Sequence, residues 1–165
     1  MLAVTAIGPR CGSHDSVKPT LHRAWAADLD TATLYKLLLL RVEVFVVEQK
    51  CAYPELDGRD LNNDTRHIWL EQDGQVICTA RLLESHEGGN EFRLGRLCTA
   101  AGFRGQGHTK RVLQAALAEV GDTPCRLDAQ SYLVQMYAKH GFAPDGAEFV
   151  EDGIAHTPMR RPARS

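Results

Sequence analysis

A glycine-rich segment in the middle of the chain, Arg104 to Arg111 (RGQGHTKR), has the composition of a phosphate-binding loop. Glycine lets the main chain approach a ligand closely, and the free N–H groups at a helix start donate to anions. His108, Lys110 and Arg111 lie in the first turn of the expected helix, and no carboxylate follows before Glu119. Basic residues there oppose the helix dipole unless an anion binds. The segment therefore predicts a pyrophosphate site; the alternative is a tight turn with solvated basic side chains.

The same segment departs from two common nucleotide-binding motifs. Gly102 to Thr109 has nearly the spacing of a P-loop, but His108 stands where that motif needs a lysine. No third glycine completes the pattern G-x-G-x-x-G. Nucleotide hydrolysis and dinucleotide binding are therefore weak interpretations of the loop.

The segments that must position this loop alternate between strand and helix patterns. LHRAWAADL is strand-like and ends at Asp30, a good N-cap for a helix through TLYKLLLLRVEVFVVEQ, although β-branched residues leave the second half ambiguous. A DG turn at Asp73 and Gly74 predicts a hairpin of RHIWLEQ and QVICTARLLE. The strand FRLGRLCTA precedes the loop, and Gly121 ends the helix that the loop opens.

A second strand and helix follow, and the ends of the chain lack a pattern. CRLDAQ is strand-like, SYLVQMYAKHG predicts a helix capped by Ser131 and Gly141, and the remainder is strand-like. Residues 1–20 are expected to form a loose N-terminal tail, residues 21–160 a single domain, and residues 161–165 a C-terminal tail. The sequence therefore predicts one α+β domain.

Several blocks of the chain resemble one enzyme superfamily. RLCTAAGFRGQGHTKRVL resembles motif A of the GNAT superfamily of N-acetyltransferases, whose pattern Q/R-x-x-G-x-G/A falls on Arg104 to Thr109. LDAQSYLVQMYAKHGF is similar to its second landmark, a strand and a tyrosine-bearing helix that ends in Gly-Phe. FVVEQKCAYPELDGRD, TRHIWL, RLGRLCT, DAQSYL and FVEDGIAH together resemble the ElaA-like branch. The resemblance spans about Trp25 to Met159. It implies a mixed, mostly antiparallel central sheet flanked by helices, with a splayed strand pair forming the acetyl-CoA cleft.

The resemblance also implies which residues bind acetyl-CoA as co-substrate. The pyrophosphate is expected on the backbone amides of the loop, and the pantetheine arm beside the preceding strand. Gln130, where many relatives have Asn, is a further expected contact. Thr109 replaces the usual Gly or Ala and adds bulk near the phosphates, although its hydroxyl can donate to them. The complete set is Leu97, Cys98, Thr99, Arg104, Gly105, Gln106, Gly107, His108, Thr109 and Gln130.

The superfamily tyrosine falls on Tyr137, which the resemblance places near the cofactor sulfur. A phenol has a pKa near ~10 against ~8.5 for a thiol, so Tyr137 can protonate the leaving thiolate. A backbone N–H at Leu97 is a candidate donor to the oxyanion. Spacing alone, with Leu133, Met136 and His140 on one helical face, favours a core residue instead.

The implied activity is acetyl transfer from acetyl-CoA to an amine by direct attack, because Cys51 and Cys98 lack an evident activating partner. The alternative is a CoA-binding sensor or interaction module without turnover. The general base is open, the candidates being Glu43, Glu48, Glu91, His67 or water. Two acidic loops either attract a cationic amine or expose turn residues to solvent. Their carboxylates are Glu55, Asp57, Asp60, Glu151 and Asp152.

Charge, hydropathy and cysteine usage limit the other partners. A net charge of −2 and a pI near 6.4 argue against a nucleic-acid partner. The longest apolar run, Leu37 to Leu40, is far shorter than the roughly 20 residues of a membrane span. Five cysteines without a C-x-x-C pair or a zinc spacing predict no metal, free thiols and a cytoplasmic location. A strand near the C-terminus is a possible edge for a homodimer.

Overall fold

The computed structural model describes residues 17–86 and 90–163. The predicted tails fall partly outside the described residues, at positions 1–16 and 164–165. No helix in the described ranges is long and apolar enough to cross a membrane. The elements, in chain order, are β1 (Thr20–Trp25), α1 (Thr31–Arg41), β2 (Thr65–Gln72), β3 (Gln75–Ser85), β4 (Glu91–Thr99), α2 (His108–Val120), β5 (Cys125–Gln130), α3 (Val134–Ala138), β6 (Ala143–Pro144), β7 (Phe149–Glu151) and β8 (Ile154–Arg161).

The strands form one sheet in the order β1-β2-β3-β4-β5-β8-β6, and β7 also pairs with β8. All pairs are antiparallel except β4 with β5, which run parallel. The β2–β3 turn has Asp73 and Gly74 at φ values of 50° and 78°, as the DG dipeptide predicts. The predicted α+β architecture with a mixed, mostly antiparallel sheet is confirmed.

Helices cover both faces of the sheet. On one face, Val112 and Leu113 of α2 pack in the same cluster as Ile68 of β2. On the other face, Leu37 of α1 packs with Trp69. Adjacent residues of a strand point to opposite faces, so Ile68 and Trp69 direct the two helices to opposite sides of the sheet.

Helix α1 begins as predicted and continues further than its α-helical part. The carboxylate of Asp30 accepts a hydrogen bond from the backbone N–H of Thr33 at 2.8 Å, which confirms the N-cap. Val42–Glu48 extends the helix as a π-helix, so the β-branched run is helical. The wider π turns carry Phe45 and Glu48 to the edge of a cleft, and such turns are frequent at functional sites.

The predicted N-cap at Ser131 is wrong. Ser131–Leu133 forms a 3₁₀ turn, and α3 spans only Val134–Ala138. The Ser131 hydroxyl donates to the carboxylate of Glu148 at 2.6 Å, and no side-chain cap bond is made at the start of the 3₁₀ turn or of α3. The helical segment ends before Gly141, whose φ is 87° as expected for a C-terminal glycine.

Candidate active site

The cleft opens where two parallel strands separate. β4 and β5 pair only near their first residues, Phe92 with Cys125 and Arg93 with Arg126. Beyond Arg93 the two strands make no further pairs, so their second halves enclose a gap in the sheet. This gap is the splayed strand pair that the resemblance implies.

A β-bulge in β4 faces this gap. In the β3–β4 ladder, Arg81 pairs with Gly95 and Thr79 with Cys98, so that Arg96 and Leu97 together stand opposite one residue of β3. Arg96 has a φ of 55°, in the left-handed region that ordinary residues rarely adopt. A bulge bends its strand and releases backbone groups from the ladder. The backbone around Leu97 is therefore turned out of regular pairing next to the gap.

Two adjoining cavities fill the cleft. The loop-side cavity, of about 370 Å³, lies between the end of β4 and the glycine loop and is lined by Cys98, Thr99, Arg104 and Thr109 among others. The turn-side cavity, of about 160 Å³, lies toward the β7–β8 turn. The wall that both cavities share consists of Phe45, Gln49, Leu97, Gln130, Leu133 and Tyr137. The two cavities therefore adjoin along this wall.

The glycine loop presents uncapped amides at the start of α2. Gly105 and Gly107 have φ values of 75° and 81°, and Gly107 gives α2 no side-chain cap. Among the described residues, no backbone bond outside the regular elements is donated by positions 105–110. The Thr109 hydroxyl is 2.8 Å from the Thr99 hydroxyl, which ties the first turn of α2 to the end of β4. These amides are available to an anion.

An ion pair bridges the loop-side cavity. The Arg104 guanidinium donates to both carboxylate oxygens of Glu48 at 2.7 and 2.8 Å and to the Thr99 carbonyl at 3.0 Å. The hydrogen bonds from Arg104 lower the pKa of Glu48. Glu48 is therefore engaged as a carboxylate and is a poor proton acceptor.

Tyr137 lies between the two cavities. The side chain is buried and its ring packs edge-on against Phe142, with the centroids 6.0 Å apart. The hydroxyl makes no hydrogen bond to another described residue. Burial, with a smaller effect of the nearby Tyr132, raises the pKa of Tyr137 above its ordinary value. The phenol is therefore protonated at neutral pH and can act as a proton donor.

Gln130 is hydrogen-bonded to Gln49, a residue to which the sequence analysis assigned no role. Its amide nitrogen donates to the side-chain oxygen of Gln49 at 3.2 Å. Its amide oxygen accepts from the Tyr132 hydroxyl at 2.7 Å. Gln49 follows the π-helix within the quoted block FVVEQ, but only the course of that helix shows that it reaches Gln130.

The four proposed bases lie in different parts of the molecule, and none of them lines the turn-side cavity. Glu91 contacts Arg126 and Arg160 at the far end of β4 from the gap. His67 is buried, its Nε2 is 3.1 Å from the Asp60 carbonyl, and burial lowers its pKa. Glu43 is exposed and lines neither cavity.

The carboxylates of the YPELDGRD loop are neither in the cleft nor simply solvated, so both expectations for them are wrong. Glu55 and Asp60 are buried against Arg41, and Asp57 forms a bidentate pair with Arg81 at 2.7 Å. Glu55 also contacts Arg96 at 2.8 Å. Three arginines thus balance three carboxylates. Hydrogen bonds from Arg81 lower the pKa of Asp57; burial opposes ionisation of Asp60, but its arginine partners outweigh burial and lower its pKa.

The carboxylates of the other acidic loop do reach the cleft. Glu151 and Asp152 belong to the β7–β8 turn and line the turn-side cavity, together with Asp128 of β5. Asp128 is paired with Arg93. The cavity also contains His156, which the sequence had not singled out although it lies in the quoted block FVEDGIAH.

Comparisons with known proteins agree with this architecture. The model of the acetyltransferase (GNAT) domain matches residues 33–162. A UPF0039 protein of Mycobacterium tuberculosis is 67% identical over 144 residues, which are 86% of this chain and 92% of that protein. ElaA of Escherichia coli is 36% identical over 139 residues, 82% of this chain and 91% of that protein.

Solved structures show the same similarity. The crystal structure of Escherichia coli ElaA matches with a TM-score of 0.82 and 33% identity, over 87% of this chain and 99% of that one. An acyl-CoA N-acyltransferase from Pseudomonas aeruginosa matches with a TM-score of 0.79 and 43% identity, over the same shares of 87% and 99%. The chain therefore belongs to the GNAT family of N-acetyltransferases, and within it to the ElaA-like branch.

Proposed function

We propose that the protein transfers the acetyl group of acetyl-CoA directly to an amine. The observation that carries this proposal is the meeting of two cavities at Tyr137, one beside uncapped helix amides and one beside carboxylates. Acetyl-CoA enters the loop-side cavity and the amine enters the turn-side cavity. The acetyl carbon then lies at the shared wall, within reach of both molecules.

The glycine loop and the end of β4 hold the cofactor in this proposal. The amides at Gly105, Gln106, Gly107, His108 and Thr109 bind the pyrophosphate, with Arg104 beside them. The pantetheine arm lies along Leu97, Cys98 and Thr99, where β5 has moved away from β4. Gln130 and the Leu97 amide flank the thioester, and the Leu97 N–H stabilises the oxyanion.

Tyr137 serves as the general acid. When the C–S bond breaks, the CoA thiolate needs a proton, and the buried phenol lies in the wall next to both cavities. Among the described side chains, no hydrogen-bond partner competes for that hydroxyl. The phenol proton is therefore available to the sulfur.

Cys98, which lines the loop-side cavity, and its neighbour Cys78 support direct attack over an acetyl-cysteine intermediate. A thiol must ionise to act as a nucleophile. Burial raises the pKa of Cys98 well above its ordinary value, and burial raises that of Cys78 to about 11. Neither thiol is activated for attack on acetyl-CoA.

The acceptor is a cationic amine in this proposal. Glu151 and Asp152 are exposed carboxylates of the turn-side cavity. The one arginine among the lining residues, Arg96, is paired with Glu55. The potential in that cavity therefore favours a positive charge.

Release of CoA thiol from acetyl-CoA in the presence of an amine panel tests the proposal. The panel contains small monoamines, diamines and polyamines, amino acids, and peptides with free N-termini or lysines. Amine-dependent release, with acetylated product detected by mass spectrometry, is the expected result. Tight binding of acetyl-CoA without release on any amine would favour the CoA-binding sensor instead.

We also propose that the enzyme works in the cytoplasm. The four cysteines within the described residues are free and buried, as is usual in a reducing compartment, while Cys11 lies outside the described residues. A homodimer through a sheet edge stays a prediction, which sedimentation of the purified protein tests.

A further inference from the structure

We propose that His156 is the general base that takes a proton from the acceptor amine. This inference rests on the proposed function, since it assigns a role in the same transfer. His156 belongs to β8 and lines the turn-side cavity, on the side of the cleft assigned to the acceptor.

The strand register brings His156 next to the reaction centre. In the antiparallel β5–β8 pair, His156 stands directly opposite Gln130. Directly opposed side chains lie on the same face of a sheet with their Cβ atoms about 5 Å apart. Gln130 belongs to the wall that both cavities share. The imidazole is therefore a direct neighbour of that wall, on the acceptor side.

The local hydrogen bond fixes which ring nitrogen can accept a proton. Nδ1 of His156 is 2.9 Å from the carbonyl oxygen of Ile154. A carbonyl only accepts, so Nδ1 carries the hydrogen and Nε2 of the neutral ring has a free lone pair. The ring is also stacked on Phe149, with the centroids 5.6 Å apart and the two ring planes 22° from parallel. The basic nitrogen thus has a fixed orientation.

Two other ionisable groups of this cavity are already engaged in ion pairs. Asp128 is held in its ion pair with Arg93, and Arg96 is a cation paired with Glu55. Imidazole is the side chain used most often as a general base. The titratable or charged groups that face the cavity with His156 are Cys51, Tyr53, Arg96, Asp128, Tyr137, Glu151 and Asp152.

The proton balance of the reaction is complete with these two groups. Nε2 of His156 takes one proton from the ammonium, which leaves a neutral amine. The amine attacks the thioester carbonyl, the C–N bond forms, and the C–S bond breaks. Tyr137 gives its proton to the sulfur as the C–S bond breaks, and the second proton that the nitrogen loses restores the Tyr137 phenol. His156 returns the first proton to solvent, so acetyl-CoA and an ammonium give an amide, CoA thiol and one proton.

Nitrogen-15 NMR of the histidine rings tests the tautomer without any acceptor. The His156 signal is identified by its loss in His156→Ala. At a pH where the ring is neutral, the expected spectrum has the hydrogen on Nδ1 and an unprotonated Nε2. A hydrogen on Nε2 overturns the proposal, because that nitrogen would then have no lone pair to offer.

Kinetics of two variants test the catalytic role with the most reactive acceptor of the amine panel. In His156→Asn the side-chain amide can still donate to the Ile154 carbonyl, but the basic nitrogen is lost. We expect kcat/KM at pH 7 to fall about 10²-fold or more. The loss should shrink toward pH ~10, where an alkyl ammonium loses its proton without help. Added imidazole should restore part of the activity of His156→Ala. His86→Ala, an exposed histidine at the end of β3, should match the native enzyme.

The outcomes separate this inference from the proposed function. If the native enzyme acetylates an amine and both His156 variants keep that rate, His156 is not the base, while direct transfer stands. A loss that imidazole does not rescue and that is the same at every pH indicates a structural role and also overturns the inference. If the native enzyme acetylates no amine, the proposed function fails and the assignment of His156 fails with it.

Discussion

Substitution of Tyr137 by Phe is the sharpest test of catalysis at this site. The change deletes one hydroxyl and keeps the ring, which packs against Phe142 at 6.0 Å. If Tyr137 protonates the CoA thiolate, the variant must find that proton elsewhere, and turnover falls. If the residue only fills space in the core, the variant behaves as the native enzyme.

The expected effect on stability is small. The Tyr137 hydroxyl has no hydrogen-bond partner among the described residues, so its removal leaves no donor or acceptor unsatisfied. We expect the free energy of unfolding to change by less than about 0.5 kcal/mol, which is a shift in Tm of roughly 2 °C or less for a chain of this size. The affinity for acetyl-CoA should also change little.

The expected effect on rate is large. A positioned general acid contributes about 10²-fold to 10⁴-fold, equal to roughly 2.7 to 5.5 kcal/mol of transition-state stabilisation. Because burial raises the pKa of Tyr137, the phenol is protonated throughout a neutral assay range. The loss in kcat should therefore be nearly constant between about pH 6 and 9.

Three measurements on the native enzyme and the variant distinguish a general acid from a core residue: kcat from CoA thiol release, acetyl-CoA affinity by calorimetry, and Tm. Tyr35→Phe is the matched control, because Tyr35 is 66% exposed on α1 and lines neither cavity. Native kcat in Tyr137→Phe would refute the general-acid role, and a large loss of Tm with kcat preserved would identify a structural hydroxyl. The fold and the cofactor assignment would survive either result.

Three further changes test the rest of the structure. Gly107→Glu should weaken acetyl-CoA binding at least 100-fold by calorimetry, through charge at the pyrophosphate amides; Gly74→Glu, with an equally positive φ near 80° and open space around it, should bind normally. Arg41→Met should lower the free energy of unfolding, measured in urea, by about 3 to 5 kcal/mol, because it leaves the buried carboxylates of Glu55 and Asp60 without this partner. A loss below about 1 kcal/mol would contradict the paired network. Burial lowers the pKa of His67, so as pH falls below ~6.5 the unfolded state binds the proton before the folded state does. The free energy of unfolding should therefore decrease by up to about 1.4 kcal/mol per pH unit, and the difference between urea titrations at pH 7.5 and 5.5 should shrink by this contribution in His67→Gln.

Local signals were sufficient to predict most of the fold. Asp30, the DG turn and Gly121 each act through the backbone of their immediate neighbours, so the sequence reveals their effect directly. The glycine loop belongs to the same class, since its φ values and free amides depend on a few adjacent residues. The predicted cap at Ser131 is wrong because the chain forms a 3₁₀ turn there, and its hydroxyl donates to Glu148, 17 residues away, a partner that the local pattern does not reveal.

The polar residues of the site depend on distant partners, which local patterns do not reveal. Glu55 and Asp60 of YPELDGRD contact Arg41 from the end of α1, and Asp60 also contacts Arg81 from β3, so two loop residues that a pattern assigns to solvent are buried. The proposal that His156 is the general base depends on the β5–β8 register, which places it opposite Gln130. Strand register and helix course decide such contacts, and both require the folded chain.

The buried ion pairs connect the acidic loop to the chemistry through the bulge in β4. Arg96 holds a left-handed φ of 55°, a conformation that costs on the order of 1 to 3 kcal/mol and persists only where its surroundings enforce it. The Arg96 guanidinium contacts one carboxylate oxygen of Glu55 at 2.8 Å, and Arg41 contacts the other oxygen. The next residue is Leu97, whose backbone amide we assign to the oxyanion. In the proposed mechanism, the YPELDGRD loop therefore contributes to catalysis by holding the bulge that positions this amide, and not by attracting the amine.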